Sequence, residues 1–260
     1  MVLFKFVFAD NFFTKEQIKL KKGPLIYEGK AKKIYQTEEN PDYCIMEFKD
    51  DLTAFDGEKK DTRHSKGMLN NLISSLLFKL LQECHIPTHF IKKLSEVDML
   101  VWKTSIIQVE VVVRNIVAGS LAKRTGLQTG TVLSEPIIEF YYKSDELHDP
   151  MLNDYHIKTL DLASHGELYT MTEHALKINN VLSSFLSEVD LEIVDFKLEF
   201  GKRDGQILLS DEITPDTCRL WDKNTKQSLD KDVFRQGSGD VLIGYREVYS
   251  RIKGCDYNEQ

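Results

Sequence analysis

The segment DFKLEFG, residues 195–201, alternates charged and apolar side chains: Asp195, Lys197 and Glu199 fall on one face, Phe196, Leu198 and Phe200 on the other. Period-two alternation marks a strand. The plain account is a solvated face, because a half-exposed antiparallel strand carries its charges outward. A chemical account needs a partner strand. QILLSDE, which follows, completes a hairpin around Arg203, Asp204 and Gly205, and its register decides which side chains share the charged face. A three-residue loop with Gly205 left-handed sets Lys197 opposite Asp211, with Glu199 on the diagonal. Two carboxylates about 7–8 Å apart between backbones can then converge on one or two divalent cations that also hold phosphate oxygens. A two-residue Asp-Gly turn instead rotates Asp211 to the other face and leaves Glu212 beside Lys197. The sequence permits both registers.

Other segments carry groups suited to anions. YEGKAKKIYQ sets Gly29 between two strand-like pieces with Lys30, Lys32 and Lys33 just beyond; glycine lets the backbone approach a phosphate, and lysines supply charge. This suits a flap over a triphosphate, although a basic strand turn is more often plain surface. In EVVVRNIVAGSLAKRTG a buried-looking strand ends at Arg114 and enters a short helix at Ser120 that Gly126 can terminate. Arg114, the Ser120 hydroxyl and the free amides of a helix start suit a phosphate monoester; equally, Ser120 can cap the helix and Arg114 can pair with a carboxylate. YYKSDELHDPMLND is a polar loop with Lys143 and His148, and the spacing gives His148 no role in chemistry. DEITPDTCRLWD holds Arg219, either a second anion clamp or an ordinary loop arginine.

The elements that position these groups read as mostly strands up to about Val113, interrupted by one helix. In KGMLNNLISSLLFKLLQEC, Met68, Leu69, Leu72, Ile73, Leu76, Leu80 and Leu81 form a core-facing stripe. A second long helix runs from about Gly166 to Val189, with Ser164 as its cap, and a third lies near DVLIGYREVYSRI. LIYEGKAKKIYQT, YCIMEFKDD and MLVWKTSII read as strands, and EIVDFKLEF and QILLSDEIT as two more. Strands first and mixed elements later predict an α+β protein with a small sheet-rich lobe, a larger second lobe and a cleft between them.

A net charge of −7 argues against a general nucleic-acid surface and requires any anion site to be local. The four cysteines include no C-x-x-C pair, so neither a zinc knuckle nor a disulfide framework is suggested, and a reducing cytoplasm fits best. No stretch approaches the roughly 18 uninterrupted apolar residues of a membrane span. Residues 1–23, rich in phenylalanine but interrupted by Lys5 and Asp10, read as an extension, an added strand or a partner contact, rather than a signal peptide.

Together, YEGKAKKIY, VVVRNIVAGSLAKRTG, HDPM, DFKLEFG and DEITPDTCRLWD closely resemble, in this order, the SAICAR synthetase family of purine biosynthesis. The resemblance runs from about Leu25 to the last helix. It implies an ATP-dependent ligase joining L-aspartate to the carboxylate of carboxyaminoimidazole ribonucleotide, giving SAICAR, ADP and phosphate through an acyl phosphate. It further implies a small antiparallel-sheet lobe over residues 24–107 and a larger α+β lobe over 108–260, with ATP in the cleft, an arrangement similar to the kinases, and a homodimer. By position, Gly29, Lys30 and Lys32 resemble the family's phosphate flap and Lys143 a further nucleotide contact. Glu199 and Asp211 resemble magnesium ligands; Arg114, Ser120 and Arg219 the cradle of the ribonucleotide phosphate; Asp195 and Lys197 catalytic-site contacts to substrate. LTAFDGEKKD departs from common family forms and puts the role of Asp56 in doubt. The rival readings are a small-molecule kinase acting on a phosphorylated sugar or nucleotide and a non-catalytic ribonucleotide sensor.

Overall fold

The computed structural model describes residues 20–54 and 58–254; most of the leader and Asp56 lie outside them. Two antiparallel sheets organise the chain. The first has the order β1-β2-β3-β7-β6, from β1 (Lys22–Glu28), β2 (Lys32–Thr37), β3 (Tyr43–Phe48), β6 (Phe90–Lys93) and β7 (Asp98–Trp102). β1 therefore begins at Lys22, inside the stretch set apart as an extension. A separate hairpin, β4 (Asp51–Ala54) and β5 (Lys59–Thr62), leads into helix α1 (Lys66–Glu83).

The second sheet has the order β10-β9-β8-β11-β12, from β8 (Ser105–Ile116), β9 (Val132–Tyr142), β10 (Met151–Leu152), β11 (Leu191–Arg203) and β12 (Gln206–Ser210). β13 (Cys218–Asp222) pairs with the first half of β11, on the edge that β12 leaves free. MLVWKTSII, which reads as one run, is divided between the sheets, because the chain leaves β7 after Trp102 and starts β8 at Ser105.

The helices follow their sequence signals. α4 (His165–Glu188) opens with a capping box in which the Ser164 side chain accepts from the Glu167 amide and the Glu167 side chain accepts from the Ser164 amide. α2 (Gly119–Thr125) stops at Gly126, whose φ of 70° only glycine takes at little cost. α1 draws its cap from a distance: the Asp50 carboxylate accepts from the Gly67 amide at 2.9 Å. α3 (Asp154–Thr159), α5 (Asp232–Gln236) and α6 (Val241–Gly254) complete the set.

Phe196, Leu198 and Phe200 of β11 enter a core shared with Met171, Ala175, Ile178 and Leu182 of α4 and with Phe78 and Leu81 of α1. Burial of these side chains at roughly 1.5–3 kcal/mol each fixes β11 face-down on the helices. Its charged face is thereby committed to the other side of the sheet.

Candidate active site

That face is not a solvated one. Asp195 and Glu199 are each only 5% exposed and Arg114 4%, which rules out the plain account of the alternation. Burying so much charge is costly unless every group is paired. Register supplies the pairs: Arg114 of β8 faces Asp195 of β11, and Glu110 faces Glu199. One strand further, Glu139 of β9 faces Val112 and Tyr141 faces Glu110. Three adjacent strands thus carry one continuous polar floor.

At one end of the floor the Arg114 guanidinium donates from Nε to Glu139 Oε2 at 2.6 Å and from Nη1 to Asp195 Oδ2 at 2.8 Å. Its Nη2 donates to Ser120 Oγ at 3.0 Å and to Tyr141 Oη at 3.2 Å. Arg114 therefore pairs with carboxylates and holds Ser120 at once. Arg219 of β13 donates from Nη1 to both Asp195 oxygens, at 2.8 and 3.1 Å, and from Nε to Asp232 at 2.7 Å. Asp195 thus ties Arg114 to Arg219 and brings together the three residues assigned to a phosphate cradle. Ser120 lies inside α2, whose cap position is Ala118, so its hydroxyl is not a helix cap.

The other end is a lysine and glutamate cluster. Lys197 Nζ donates to Glu110 at 2.6 Å and to Glu199 at 3.2 Å, and Lys143 reaches Glu199 at 3.0 Å. Burial by itself raises the Glu199 carboxyl, but the charges of Lys197, Lys143 and Lys32 outweigh it and hold the group at about 2. Burial pushes Glu110 up instead, and the neighbouring Glu199 charge adds to this against the pull of Lys197. Lys197, bracketed by both carboxylates despite burial, is raised above the usual lysine range. Adjacent carboxylates are thus driven apart in proton affinity by their surroundings.

The hairpin takes the two-residue turn. Arg203 pairs with Gln206, and Asp204 and Gly205 both have positive φ, 50° and 77°, the geometry that favours Asp-Gly. Lys197 is consequently not opposite Asp211. Nor does Glu212 take that place: the ladder ends at the Glu199–Ser210 pair, Asp211 turns out of the strand with φ 64°, and the Lys197 amide bonds the Thr217 carbonyl. Lys32 gathers both acids, pairing with Asp211 and, at 3.2 Å, with Glu212. Lys32 also acts electrostatically on Glu199, so Glu199 and Asp211 meet around a lysine rather than across a ladder. Gly29 forms the β1–β2 turn, its amide bonding the Lys32 carbonyl at 2.9 Å. Lys30 reaches Asp145 at 2.7 Å.

Sequence reasoning missed Glu110, Glu139, Tyr141 and Arg124. Arg124 donates to Tyr141 Oη at 3.1 Å and pairs with Glu139. The pattern V-E-V-V-V-R in β8 places Glu110 and Arg114 in phase and could have flagged that strand, whereas β9 offers no comparable sign. Among the described cysteines thiol chemistry has no support: burial pushes Cys218 up to about 12 and raises Cys44 and Cys84 as well. Among the described residues, no group of three or more His, Cys, Asp or Glu is placed to hold a metal, and no helix is long and apolar enough to cross a membrane.

Comparison with known proteins places the chain in a family. The SAICAR synthetase family model matches residues 25–252. A phosphoribosylaminoimidazole-succinocarboxamide synthase of Anoxybacillus flavithermus is 56% identical over 236 residues, which span 90% of this chain and 98% of that protein. The crystal structure of the corresponding synthase of Ehrlichia chaffeensis superposes with a TM-score of 0.86 at 48% identity, covering 88% of this chain and 98% of that one. A SAICAR synthetase in complex with ADP superposes with a TM-score of 0.85 at 54% identity, covering 88% and 97%. The five motifs, the two antiparallel sheets and these matches lead to one conclusion: the chain belongs to the SAICAR synthetase family.

Proposed function

We propose that this protein joins L-aspartate to the carboxylate of carboxyaminoimidazole ribonucleotide at the expense of ATP, releasing ADP and phosphate. The observation that carries the reading is the division of one buried polar floor into an arginine end and a lysine end, both anchored on β11. Arg114, Ser120 and Arg219 hold the ribonucleotide phosphate; bidentate guanidinium groups suit a phosphate's paired oxygens. Lys30, Lys32 and Lys143, with the Gly29 turn, receive the nucleotide phosphates in the cleft between a small lobe built on the first sheet and a larger one built on the second, the boundary moving from 107/108 to the link between Trp102 and Ser105 because β8 is undivided.

A carboxylate is a poor electrophile. Its oxygen attacks the γ-phosphorus and ADP leaves; the aspartate nitrogen then attacks the acyl carbon, inorganic phosphate departs, and the amine gives up a proton. The chain's own residues position the reactants and offset charge, the two largest contributions available to phosphoryl transfer. No thiolate is needed, in keeping with the raised cysteines.

Magnesium fits the donor set. Glu199, held ionised, and Asp211 are hard oxygen ligands, and this ion is commonly held by one or two carboxylates together with substrate phosphates. Bound there, it would offset negative charge on the phosphates. The family resemblance further suggests a cytoplasmic homodimer, and light scattering after size exclusion tests the dimer.

The experiment is direct. Protein, ATP, magnesium and the ribonucleotide are incubated with and without L-aspartate, and products are resolved by mass. The succinyl adduct and ADP are expected to form together and only with aspartate; ADP formation indifferent to aspartate would overturn the ligase in favour of a kinase.

A further inference from the structure

Lys231 is a cation that neither end of the floor uses, tied to both through its neighbours. Lys231 precedes α5, and its amide donates to the Pro215 carbonyl at 3.1 Å, which fixes it against the loop that leads away from Asp211. The next residue, Asp232, holds Arg219 of the arginine end. Glu212, the Lys32 partner of the lysine end, acts on Lys231 electrostatically. The side chain is 15% exposed, so it is mostly withdrawn from water but not sealed off.

The carboxylates around Lys231 are engaged elsewhere, and Asp230, which no described cation pairs, accepts from the Leu220 and Asp232 amides and the Ser228 hydroxyl. Asp216 lies 2.5 Å from the buried Lys66 Nζ and accepts from Tyr245 at 2.7 Å and Asn70 at 2.8 Å, but is 3.9 Å from Lys231. Glu212 pairs with Lys32, and Asp232 with Arg219 and Arg235. Lys66, Asp216 and Lys231 together leave one positive charge. Burial pushes the Lys231 ammonium below the usual lysine range, Lys66 and Arg235 add to this, and Asp216 and Glu212 only partly offset it. A largely buried, weakly paired cation is costly unless a ligand anion completes it.

We infer that Lys231 receives a carboxylate of the amino-acid substrate, L-aspartate. This rests on the ligase reading above. The other anions already have partners: the nucleotide phosphates at Lys30, Lys32 and Lys143, the ribonucleotide phosphate at Arg114, Ser120 and Arg219. The carboxylate to be activated is a poor match for Lys231, because a strong ion pair in the ground state would hold back its attack on phosphorus. A carboxylate of aspartate takes no part in bond making and is served well by a single ammonium point charge.

The test is steady-state kinetics on Lys231→Met and Lys231→Arg, varying each substrate in turn. One charge-assisted hydrogen bond lost raises the aspartate KM at least about tenfold in Lys231→Met, while KM for ATP and ribonucleotide stays within about twofold. Lys231→Arg keeps the charge and shows a smaller rise in aspartate KM at similar kcat, so it carries the test should the methionine variant fail to fold by thermal melt. An unchanged aspartate KM in the folded variants, or an equal rise for all three substrates, overturns the inference and leaves the ligase reading standing. Turnover by the unsubstituted protein that ignores aspartate overturns both.

Discussion

The Arg219 guanidinium rests against the α-carbon of Gly119: a Cβ built there would lie 2.5 Å from Nη2 and 2.7 Å from Cζ. Gly119 also has φ 51°, a conformation that disfavours any side chain. Space and backbone together reserve the position for glycine, and through it the placement of Arg219, the residue proposed to close a phosphate cradle. Gly119→Ala is therefore expected to displace Arg219 and lower ribonucleotide affinity at least about tenfold, with a stability loss of about 1–2 kcal/mol. Calorimetric titration and a urea melt on one sample read both effects.

Lys197 is the only described cation within hydrogen-bond reach of both Glu110 and Glu199. Replacing it by methionine leaves two facing carboxylates with Lys143 alone between them. The expected cost is about 2 kcal/mol, less than for a fully buried pair because 32% of the lysine side chain meets water. Loss of turnover should accompany it. A Lys197→Met variant as stable and as active as its parent would remove this residue from the site.

Lys30 is half exposed, with 46% of its side chain accessible, and Asp145, which it pairs with, lies on an exposed turn. Lys30→Ala should leave stability within about 0.5 kcal/mol yet raise the ATP KM at least about fivefold. Thermal melts and initial rates separate the two.

Asp230 gives a pH signature. Burial first, and the Asp232 charge second, push its carboxyl up to about 6 against hydrogen bonds from the Asp232 and Leu220 amides and the Ser228 hydroxyl. The ordinary value is 3.8. Between those values the folded state binds more protons than the unfolded one, so this group's contribution is full below the unfolded value and is lost as pH rises through the folded one. Asp230→Asn should consequently cost about 2 kcal/mol more at pH 4 than at pH 7. Urea midpoints of both proteins at the two pH values measure the difference; a pH-independent cost would show that folding does not raise the Asp230 carboxyl.

The helices and the charged strand were legible in residue spacing, because a single periodicity describes each. α4 starts at His165 after Ser164, as the Ser-x-x-Glu pattern requires. Asp195, Lys197 and Glu199 share a face for the same reason. Their burial was not legible, since it depends on β8 and β9, more than fifty residues away in the chain, arriving with matched charges. Nor was the hairpin register: Arg203-Asp204-Gly205 suits either loop, and the chain chooses the type that keeps Phe200 paired with Leu209 in the core. The left-handed Asp211, which decides how Glu199 and Asp211 approach one another, is a single-residue conformation with no pattern to announce it.

The central claim is that the two ends of the floor bind different anions, and one set of titrations tests it most directly. Ribonucleotide and ADP with magnesium are each titrated calorimetrically into the parent protein, Arg219→Ala and Glu199→Gln. Arg219→Ala should weaken ribonucleotide at least about tenfold and ADP less than about twofold, and Glu199→Gln should do the reverse. Unchanged ribonucleotide affinity in Arg219→Ala, or equal losses for both ligands in both variants, would contradict the account.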